Sequence, residues 1–442
     1  MNAEYKQNID KYLDKNSKVY FLLKRLIEYE ARTQYHSKRT ICDVRQYERK
    51  WKKLSQKYKK VDVYGIEFVG IGETISRLFM YLRDRKKRNK DTYHIILPTF
   101  FAYYTAGIVN KKIFDIFKKY VHFITEDSID FWKYVILFHP QKISIKNFNA
   151  YEYRDCSVKF NVNIGKPLIP FSKEAEEYAV EKLKLMGINS KFICIHAREV
   201  ATKTKNFVSS YDDTSILDVD VNSFRQACEY LQGLGYQIVR IGKDEKRKCE
   251  IKGVIDYANN YYDELMDFYL ISNCRFLLGG MAGIMSIAAF WGRPVLQSNA
   301  ISLCYGQESL PRTKYDLYLP KKFYSKRKHR FLNLYEMLNV SYKCDRYNKR
   351  YDAEGIEIIN NTGEEILNAT IEMNEKLSHT WITTEEEISS MKKYWEIVEL
   401  WKKRQHFTYF SRNEGGSGCE MLPCPVCYSY LKENMYLLDI NN

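Results

Sequence analysis

The chain alternates short apolar runs with longer amphipathic runs. Residues 65–97 predict a strand, a glycine turn, an amphipathic helix and a second strand, which is a βαβ unit. The apolar run at 134–139 predicts a further strand of the same sheet. Before this unit, residues 1–60 predict polar, lysine-rich helices in which the apolar positions of 20–26 form one packed face.

A second alternation follows residues 140–170, where the pattern is interrupted. Ser172 is a helix cap and Gly187 a helix end, so a helix is predicted between them. Further strands are predicted at 191–196, 236–241, 275–280 and 294–299, and further helices at about 222–234, about 262–272 and from 283. Apolar strands that alternate with amphipathic helices indicate a parallel sheet covered on both faces.

These patterns predict an α/β protein with two facing Rossmann-like domains, parallel sheets and helical extensions at both ends. The predicted segments are a helical extension at 1–60, a first domain at 61–165, a second domain at 166–350 and a helical segment at 351–442 that packs back on the domains. The last segment contains two capping-box sequences, Thr362–Glu365 and Thr384–Glu387.

The composition of the chain indicates what kind of molecule it binds. The 442 residues are 45% hydrophobic and carry a formal charge of +15, so we expect a globular protein that meets an anion: a phosphorylated small molecule, nucleic acid or a lipid surface. The first residues lack the features of a signal peptide, and the apolar run 95–109 is too short to span a bilayer. We therefore expect a cytoplasmic protein that can also lie peripherally at the inner face of the membrane.

Three local patterns suggest chemistry but have simpler explanations. Cys419, Cys424 and Cys427 with His406 could supply four zinc ligands, but a second close ligand pair is missing, so a cysteine-containing turn is favoured. The D-x-D sequence at 218–220 resembles a metal site, yet it stands beside a helix start and favours capping. The basic run 83–90 is most simply the solvated end of a helix. The basic run 321–330 is predicted to be flexible and is the better candidate for contact with a polyanion or a membrane surface.

The main candidate site comes from polar residues that follow the strands of the second domain. Ligands of an open parallel sheet bind outside the carboxyl ends of its strands. The candidates there are His196, Arg198, Glu199, Arg240, Gly242, Lys243, Asp256, Tyr257 and the segment 279–286 with Gly280, Ala282, Gly283 and Ser286.

Two of these groups can bind a diphosphate. The glycines of 279–283 allow close backbone approach, and the next helix presents free N–H groups, although a tight turn alone would also explain the glycines. Arg198 can bind two phosphate oxygens at once, and a structural ion pair is the alternative. In the first domain, Glu73 is either a general acid or base or a residue that favours the helix dipole.

Taken in order, the motifs "KFICIHARE", "GYQIVRIGK", "IDYA" and "FYLISNCRFLLGGMAGIMSIAAFWGRPVLQSN" resemble a family of bacterial glycosyltransferases. That family is distantly similar to the GT-B fucosyltransferases with an H-x-R motif. The resemblance implies a GT-B fold, an acceptor-side first domain, a nucleotide-sugar donor in the second domain and no required metal. Arg198 resembles the arginine that contacts the donor diphosphate, His196 resembles its companion, and Ala282, Gly283 and Ser286 match the donor loop.

The resulting hypothesis is a metal-independent, cofactor-free glycosyltransferase of bacterial surface glycan synthesis. Its partners would be a nucleotide-sugar donor and a glycan, lipid-linked or protein acceptor, without specific nucleic acid. Arg198, His196 and Glu73 are the predicted catalytic residues. The alternatives are a sugar-nucleotide epimerase of similar fold and a non-catalytic protein that binds polyanions or a membrane surface.

Overall fold

The computed structural model describes residues 17–33, 43–68, 70–83, 88–99, 110–146, 169–199, 214–243, 245–301, 313–344, 347–404 and 425–440. Its contacts divide the chain into two units. The described residues of the first unit run from 17 to 146, and those of the second from 169 to 440.

The first unit is built on a parallel sheet of three strands in the order β2-β1-β3. Its elements are the helices α1 (Lys18–Thr33), α2 (Asp43–Lys57), α3 (Ile71–Arg83), α4 (Lys112–Phe117) and α5 (Ile129–Phe138) and the strands β1 (Lys60–Glu67), β2 (Thr92–Thr99) and β3 (Ile143–Ile145).

The predicted strand at 134–139 is wrong, because most of this run belongs to helix α5. Seven of the ten residues of α5 are buried, and α1 and α2 both pack against it. A helix covered on several sides has a continuous apolar sequence, which periodicity cannot distinguish from that of a buried strand. The third strand of the sheet is instead the short β3.

The second unit is built on a parallel sheet of six strands in the order β6-β5-β4-β7-β8-β9. Its strands are β4 (Phe192–His196), β5 (Gln237–Arg240), β6 (Val254–Asp256), β7 (Leu277–Gly279), β8 (Val295–Ala300) and β9 (Leu317–Pro320), and its first helices are α6 (Lys173–Leu185), α7 (Arg225–Gly233), α8 (Tyr257–Asn260), α9 (Glu264–Asn273) and α10 (Met285–Phe290). The direction in which strands are added to the sheet reverses between β4 and β7. The predicted α/β class with parallel sheets is confirmed.

The remaining elements of the second unit include a small, separate antiparallel sheet, β11-β10-β12. They are β10 (Lys322–Ser325), β11 (Arg330–Phe331), β12 (Ile356–Ile359), α11 (Leu334–Cys344), α12 (Asn348–Glu354), α13 (Gly363–Ser378), α14 (Glu385–Arg404) and α15 (Tyr428–Glu433). Helix α13 packs against α7 and α15. It begins with the predicted capping box, because the Thr362 hydroxyl accepts from the Glu365 N–H and the Glu365 carboxylate accepts from the Thr362 N–H.

Among the described residues, no helix combines the length and the apolar character that crossing a membrane requires.

Candidate active site

The ends of β4 and β7 approach each other more closely than side chains would allow. His196 lies opposite Gly279 in the parallel register, and the Gly280 N–H donates to the His196 carbonyl at 3.2 Å. A Cβ atom on Gly279 would lie 2.5 Å from that carbonyl oxygen. The glycine therefore permits the close contact of the two strands at which the sheet order reverses.

His196 is fixed against the next strand. Its ring is 7% exposed, and its Nδ1 lies 3.1 Å from the carbonyl oxygen of Ile241. Since a carbonyl only accepts, Nδ1 carries the proton in this contact and Nε2 is the acceptor nitrogen of the neutral ring. The ring is thereby oriented at the carboxyl edge of the sheet.

Arg198 is held in place by residues 214–218, at the carboxyl edge of the sheet. Its guanidinium donates to the Thr214 carbonyl at 2.8 Å, to the Thr214 hydroxyl at 2.8 Å and to Asp218 at 3.0 Å. The side chain is 8% exposed. Arg198 therefore makes the ion pair that was the alternative to phosphate binding, and it shapes the edge of the site through 214–218.

The D-x-D sequence is structural in the same way. Asp218 pairs with Arg198, and the Asp220 carboxylate accepts from the Asn222 N–H at 2.9 Å, which caps a 3₁₀ turn. Asp220 also pairs with Arg247 at 3.2 Å. The predicted capping role is confirmed.

Arg240 is a fully buried cation between two carboxylates. Its guanidinium lies 3.4 Å from Glu199 and 3.3 Å from Asp256, and the side chain has no exposed surface. Glu199 also accepts from the backbone N–H groups of Lys246 and Arg247. Arg240, Glu199 and Asp256 therefore hold the loop after β5 in place, and Arg240 does not extend from the edge as the sequence suggested.

Glu245 adds a third carboxyl group to this end of the sheet. Burial, and then the neighbouring Glu199, raise the pKa of Glu245 to about 8, whereas Arg240 lowers it. Its Oε2 is buried and has no hydrogen-bond partner among the described residues. The sequence analysis did not identify Glu245. Its position in the loop after β5 could have indicated it, because in dinucleotide-binding folds a carboxylate after the second strand binds ribose.

Gly242 and Lys243 begin the same loop. Gly242 has a φ of +141°, and a Cβ atom on it would lie 2.5 Å from the Glu245 carboxylate. Lys243 is exposed, and its ammonium lies 4.8 Å from the centre of the Tyr262 ring. Lys243 is thus a cation of this edge that solvent and a ligand can reach.

Tyr257 belongs to the core. It is completely buried, and its hydroxyl lies 2.6 Å from the Asp263 carbonyl and 3.0 Å from the Asp267 carboxyl group. Burial raises the pKa of Asp267 to about 8. This pair explains the tyrosine without a ligand, so the structure does not place Tyr257 with the candidate ligand groups.

The turn between β7 and α10 has some of the features of an anion-binding turn. A Cβ atom on Gly280 would lie 2.7 Å from the Val219 side chain, so that glycine serves packing. The N–H groups of Met285 and Ser286 donate to the carbonyls of Ala282 and Gly283. Ala282 and Gly283 are partly exposed, and within the described parts of the chain their own N–H groups have no acceptor.

Lys321 is a second residue that sequence reasoning missed. It follows β9 directly, is 2% exposed, and its ammonium donates to the Ile216 carbonyl. Burial lowers the pKa of Lys321 to about 8, Asp218 opposes this shift and Arg198 adds to it. The sequence does not distinguish this lysine from its neighbours, because it is the first residue of the basic run 321–330.

That basic run, 321–330, is an ordered hairpin and not the flexible segment that we expected. Lys322 pairs with Glu365 at 2.8 Å, and Arg330 and Lys328 both pair with Glu336. Three cations of the run thus pair with two carboxylates of the second unit, while Lys326 and Arg327 are exposed. Contact of this run with a membrane surface stays a prediction.

The other predicted groups lie partly outside the described residues. Glu73 is in the first turn of α3, but its side chain is not described. Of the four zinc candidates only Cys427 is described, as a buried free cysteine, whereas His406, Cys419 and Cys424 lie outside. The described residues contain no cluster of three or more His, Cys, Asp or Glu side chains that could hold a metal ion.

Comparisons with known proteins place this chain beside glycosyltransferases of low similarity. No protein-family model and no curated protein matches it. Among solved structures, ADP-heptose LPS heptosyltransferase II of E. coli is similar at 11% identity over 59% of this chain and 90% of its own, with a TM-score of 0.38. A family 9 glycosyl transferase of Veillonella parvula is similar at 12% identity over 72% and 97%, with a TM-score of 0.41.

A third structure, the iron-containing dodecameric glycosyltransferase TibC of enterotoxigenic E. coli, is similar at 12% identity over 73% of this chain and 80% of its own, with a TM-score of 0.38. These are glycosyltransferases other than fucosyltransferases, so the fucosyltransferase resemblance stays a prediction. Values this low assign no role to any residue.

Proposed function

We propose that this chain is a glycosyltransferase whose second unit binds a nucleotide-sugar donor at the carboxyl edge of the six-stranded sheet. The observation that carries the proposal is the reversal of the strand order between β4 and β7. In open parallel sheets, a crevice forms outside the strand ends at such a reversal, and nucleotides bind there. His196, Arg198 and the turn at 280–286 follow these two strands.

The donor diphosphate would bind to the Ala282 and Gly283 N–H groups, which lack acceptors among the described residues. Lys243 would add a positive charge at the same edge, and Glu245 would accept from a ribose hydroxyl. His196 and Arg198 would maintain the crevice through their contacts with Ile241, Thr214 and Asp218. Arg198 is therefore proposed as a positioning residue whose charge also favours the departing diphosphate.

In the reaction, an acceptor hydroxyl oxygen would form a bond to C1 of the sugar while the bond from C1 to the diphosphate oxygen breaks. The electron pair of that bond leaves with the diphosphate, where the N–H groups and Lys243 stabilise the negative charge. The hydroxyl proton would pass to a general base, for which Glu73 stays the candidate from sequence. We propose that this chemistry needs no metal ion and that it serves surface glycan synthesis in the cytoplasm, on a glycan, lipid-linked or protein acceptor.

The test is a thermal-shift panel of ADP, UDP, GDP, CMP and dTDP and their sugars against the full chain. Ligands that bind only the folded state raise the apparent stability. One nucleotide class should raise the melting temperature, and Lys243→Gln should reduce that rise. Lys246→Gln is the matched control, because Lys246 is exposed in the same loop and its side chain has no assigned role. A folded protein that responds to no nucleotide would contradict the proposal.

A further inference from the structure

The first unit contains a cavity with an aromatic interior and a lysine rim. Its volume is about 560 Å³, which is within the roughly 300–1,000 Å³ of small-molecule sites. It lies between α2, the residues of β2 before Leu97, and the segment from α4 to α5. The aromatic residues that line it are Tyr58, Tyr93, Phe114, His122, Phe123, Phe131 and Trp132.

Three of the rings form a stack in which His122 is the exposed member. Tyr93 stacks with His122 at a centroid distance of 4.8 Å and with Trp132 at 5.8 Å. His122 is exposed and Tyr93 and Tyr58 are half-buried, so the interior of the cavity can be reached from solvent. A base or the apolar face of a sugar can pack on such rings.

The rim is strongly cationic. Lys50, Lys53 and Lys57 lie on one face of α2, and none of them has an ion-pair partner among the described residues. The Lys50 ammonium lies 4.4 Å from the centre of the Phe131 ring. Lys57 also acts on His122, because burial and then this lysine lower the His122 pKa and favour the neutral ring.

Among the described residues, Asp115 is the single carboxylate that lines the cavity, and it is shared by Lys118 at 3.2 Å and Lys112 at 3.4 Å. The cavity therefore carries excess positive charge that the described part of the protein does not neutralise. Lysines that stand close together without acids repel one another, so an anion in the cavity would relieve this repulsion.

We infer that this cavity binds a small phosphorylated ring compound, whose ring packs on the exposed His122 side chain and whose phosphate is held by Lys53 and Lys57. The lysines of the cavity lack ion-pair partners among the described residues, whereas the buried arginines at the sheet edge of the second unit are already paired. The cavity lies against the first part of β2 and not at the carboxyl edge of that sheet, and its lining shares no residue with the proposed donor site.

Isothermal titration calorimetry on the full chain tests this inference. The probes are glucose 6-phosphate, uridine monophosphate, glucose and inorganic phosphate, so that the arms separate a sugar phosphate from a nucleotide and the whole ligand from its parts. One of the two phosphorylated compounds should bind at least about tenfold more tightly than glucose or inorganic phosphate, because only it uses both the rings and the lysines.

The variant Lys53→Gln/Lys57→Gln should weaken this binding by about tenfold or more. The matched control is Lys52→Gln/Lys60→Gln, which removes the same charge from exposed lysines outside the cavity and should change affinity less than about twofold. His122→Ala should weaken binding of the ring compound but not of inorganic phosphate. Lys243→Gln should leave this binding unchanged, which separates the cavity from the proposed donor site.

Equal affinity of wild type and the cavity variant for both phosphorylated compounds would overturn the inference, as would no binding by the folded protein. A third contradicting result is binding to vesicles of anionic lipid that both double variants lose equally. That result would make α2 a membrane-facing helix whose total charge matters and not the cavity.

Discussion

The lysines of α2 and the arginines at the six-stranded sheet edge carry the same charge in opposite surroundings. Arg198 and Arg240 are buried and paired with carboxylates, whereas Lys53 and Lys57 are exposed at the rim of the aromatic cavity and have no acidic partner among the described residues. A buried ion pair contributes to a specific structure, while an unpaired cation beside a cavity is available to a ligand. The position of a basic residue in the sequence does not distinguish the two cases.

The largest expected change in the free energy of unfolding comes from replacing Arg240, one of the two buried and paired arginines. Arg240→Met leaves Glu199 and Asp256 without their buried cation, and we expect a loss of about 3–5 kcal/mol in the free energy of unfolding. Urea denaturation measures it. Arg247→Met is the control, because the half-exposed pair with Asp220 should contribute less than about 1 kcal/mol. Equal losses in the two variants would show that Arg240 is not a structural centre.

The loop that this ion pair holds gives the next largest effect. Gly242→Ala places a side chain at a φ of +141° and against Glu245, so we expect a loss of about 1–3 kcal/mol in the free energy of unfolding. Gly233→Ala is the matched control, since no atom lies within 4 Å of the Cβ that it adds at the end of α7. A Gly242→Ala protein as stable as the control would mean that the loop adopts another conformation.

A pH series tests the buried carboxyl groups of the same region. Burial raises the pKa of Asp267 to about 8, so the folded protein keeps a proton that the unfolded chain releases above about pH 4. This group therefore lowers stability as pH rises from about 4 to 8, by at most about 1.4 kcal/mol per pH unit. Glu245 acts in the same direction.

Asp267→Asn removes this dependence. The free energy of unfolding of the variant relative to wild type should increase from pH 5 to pH 8, as measured by urea denaturation at several pH values. A difference that stays constant across the range would show that the Asp267 carboxyl group is ionised in the folded protein.

The smallest expected effect concerns the unpaired lysines. Lys53→Gln/Lys57→Gln should change the free energy of unfolding by no more than about 0.5 kcal/mol, because the variant breaks no ion pair. The same denaturation experiment measures it. A loss near that of Arg240→Met would remove the contrast between the two regions and give these lysines a structural role.

The sequence predicted β4, β5, β7 and β8 of the second unit, because these strands are short, mostly buried apolar runs. It did not predict β9 or the small antiparallel sheet, whose strand β10 lies in a basic run that we expected to be flexible. It failed at α5, where a helix buried on several sides lacks a polar face. At the site, it correctly placed His196, Arg198 and the 280–286 turn at the strand ends. It could not show that Arg240 lies buried between two carboxylates, or that the Tyr257 hydroxyl is hydrogen-bonded in the core. Nor could it show that Glu245 and Lys321 lie nearby, because these facts depend on contacts between distant segments.

The most direct test of the proposed donor site is hydrogen–deuterium exchange of the full chain with and without the nucleoside diphosphate that binds best. If the donor binds as proposed, exchange slows in peptides that contain 196–199 and 279–286, at the reversal between β4 and β7. Slower exchange confined to peptides that contain 50–58 and 114–132 would contradict it, because the nucleotide would then occupy the lysine-rimmed cavity of the first unit.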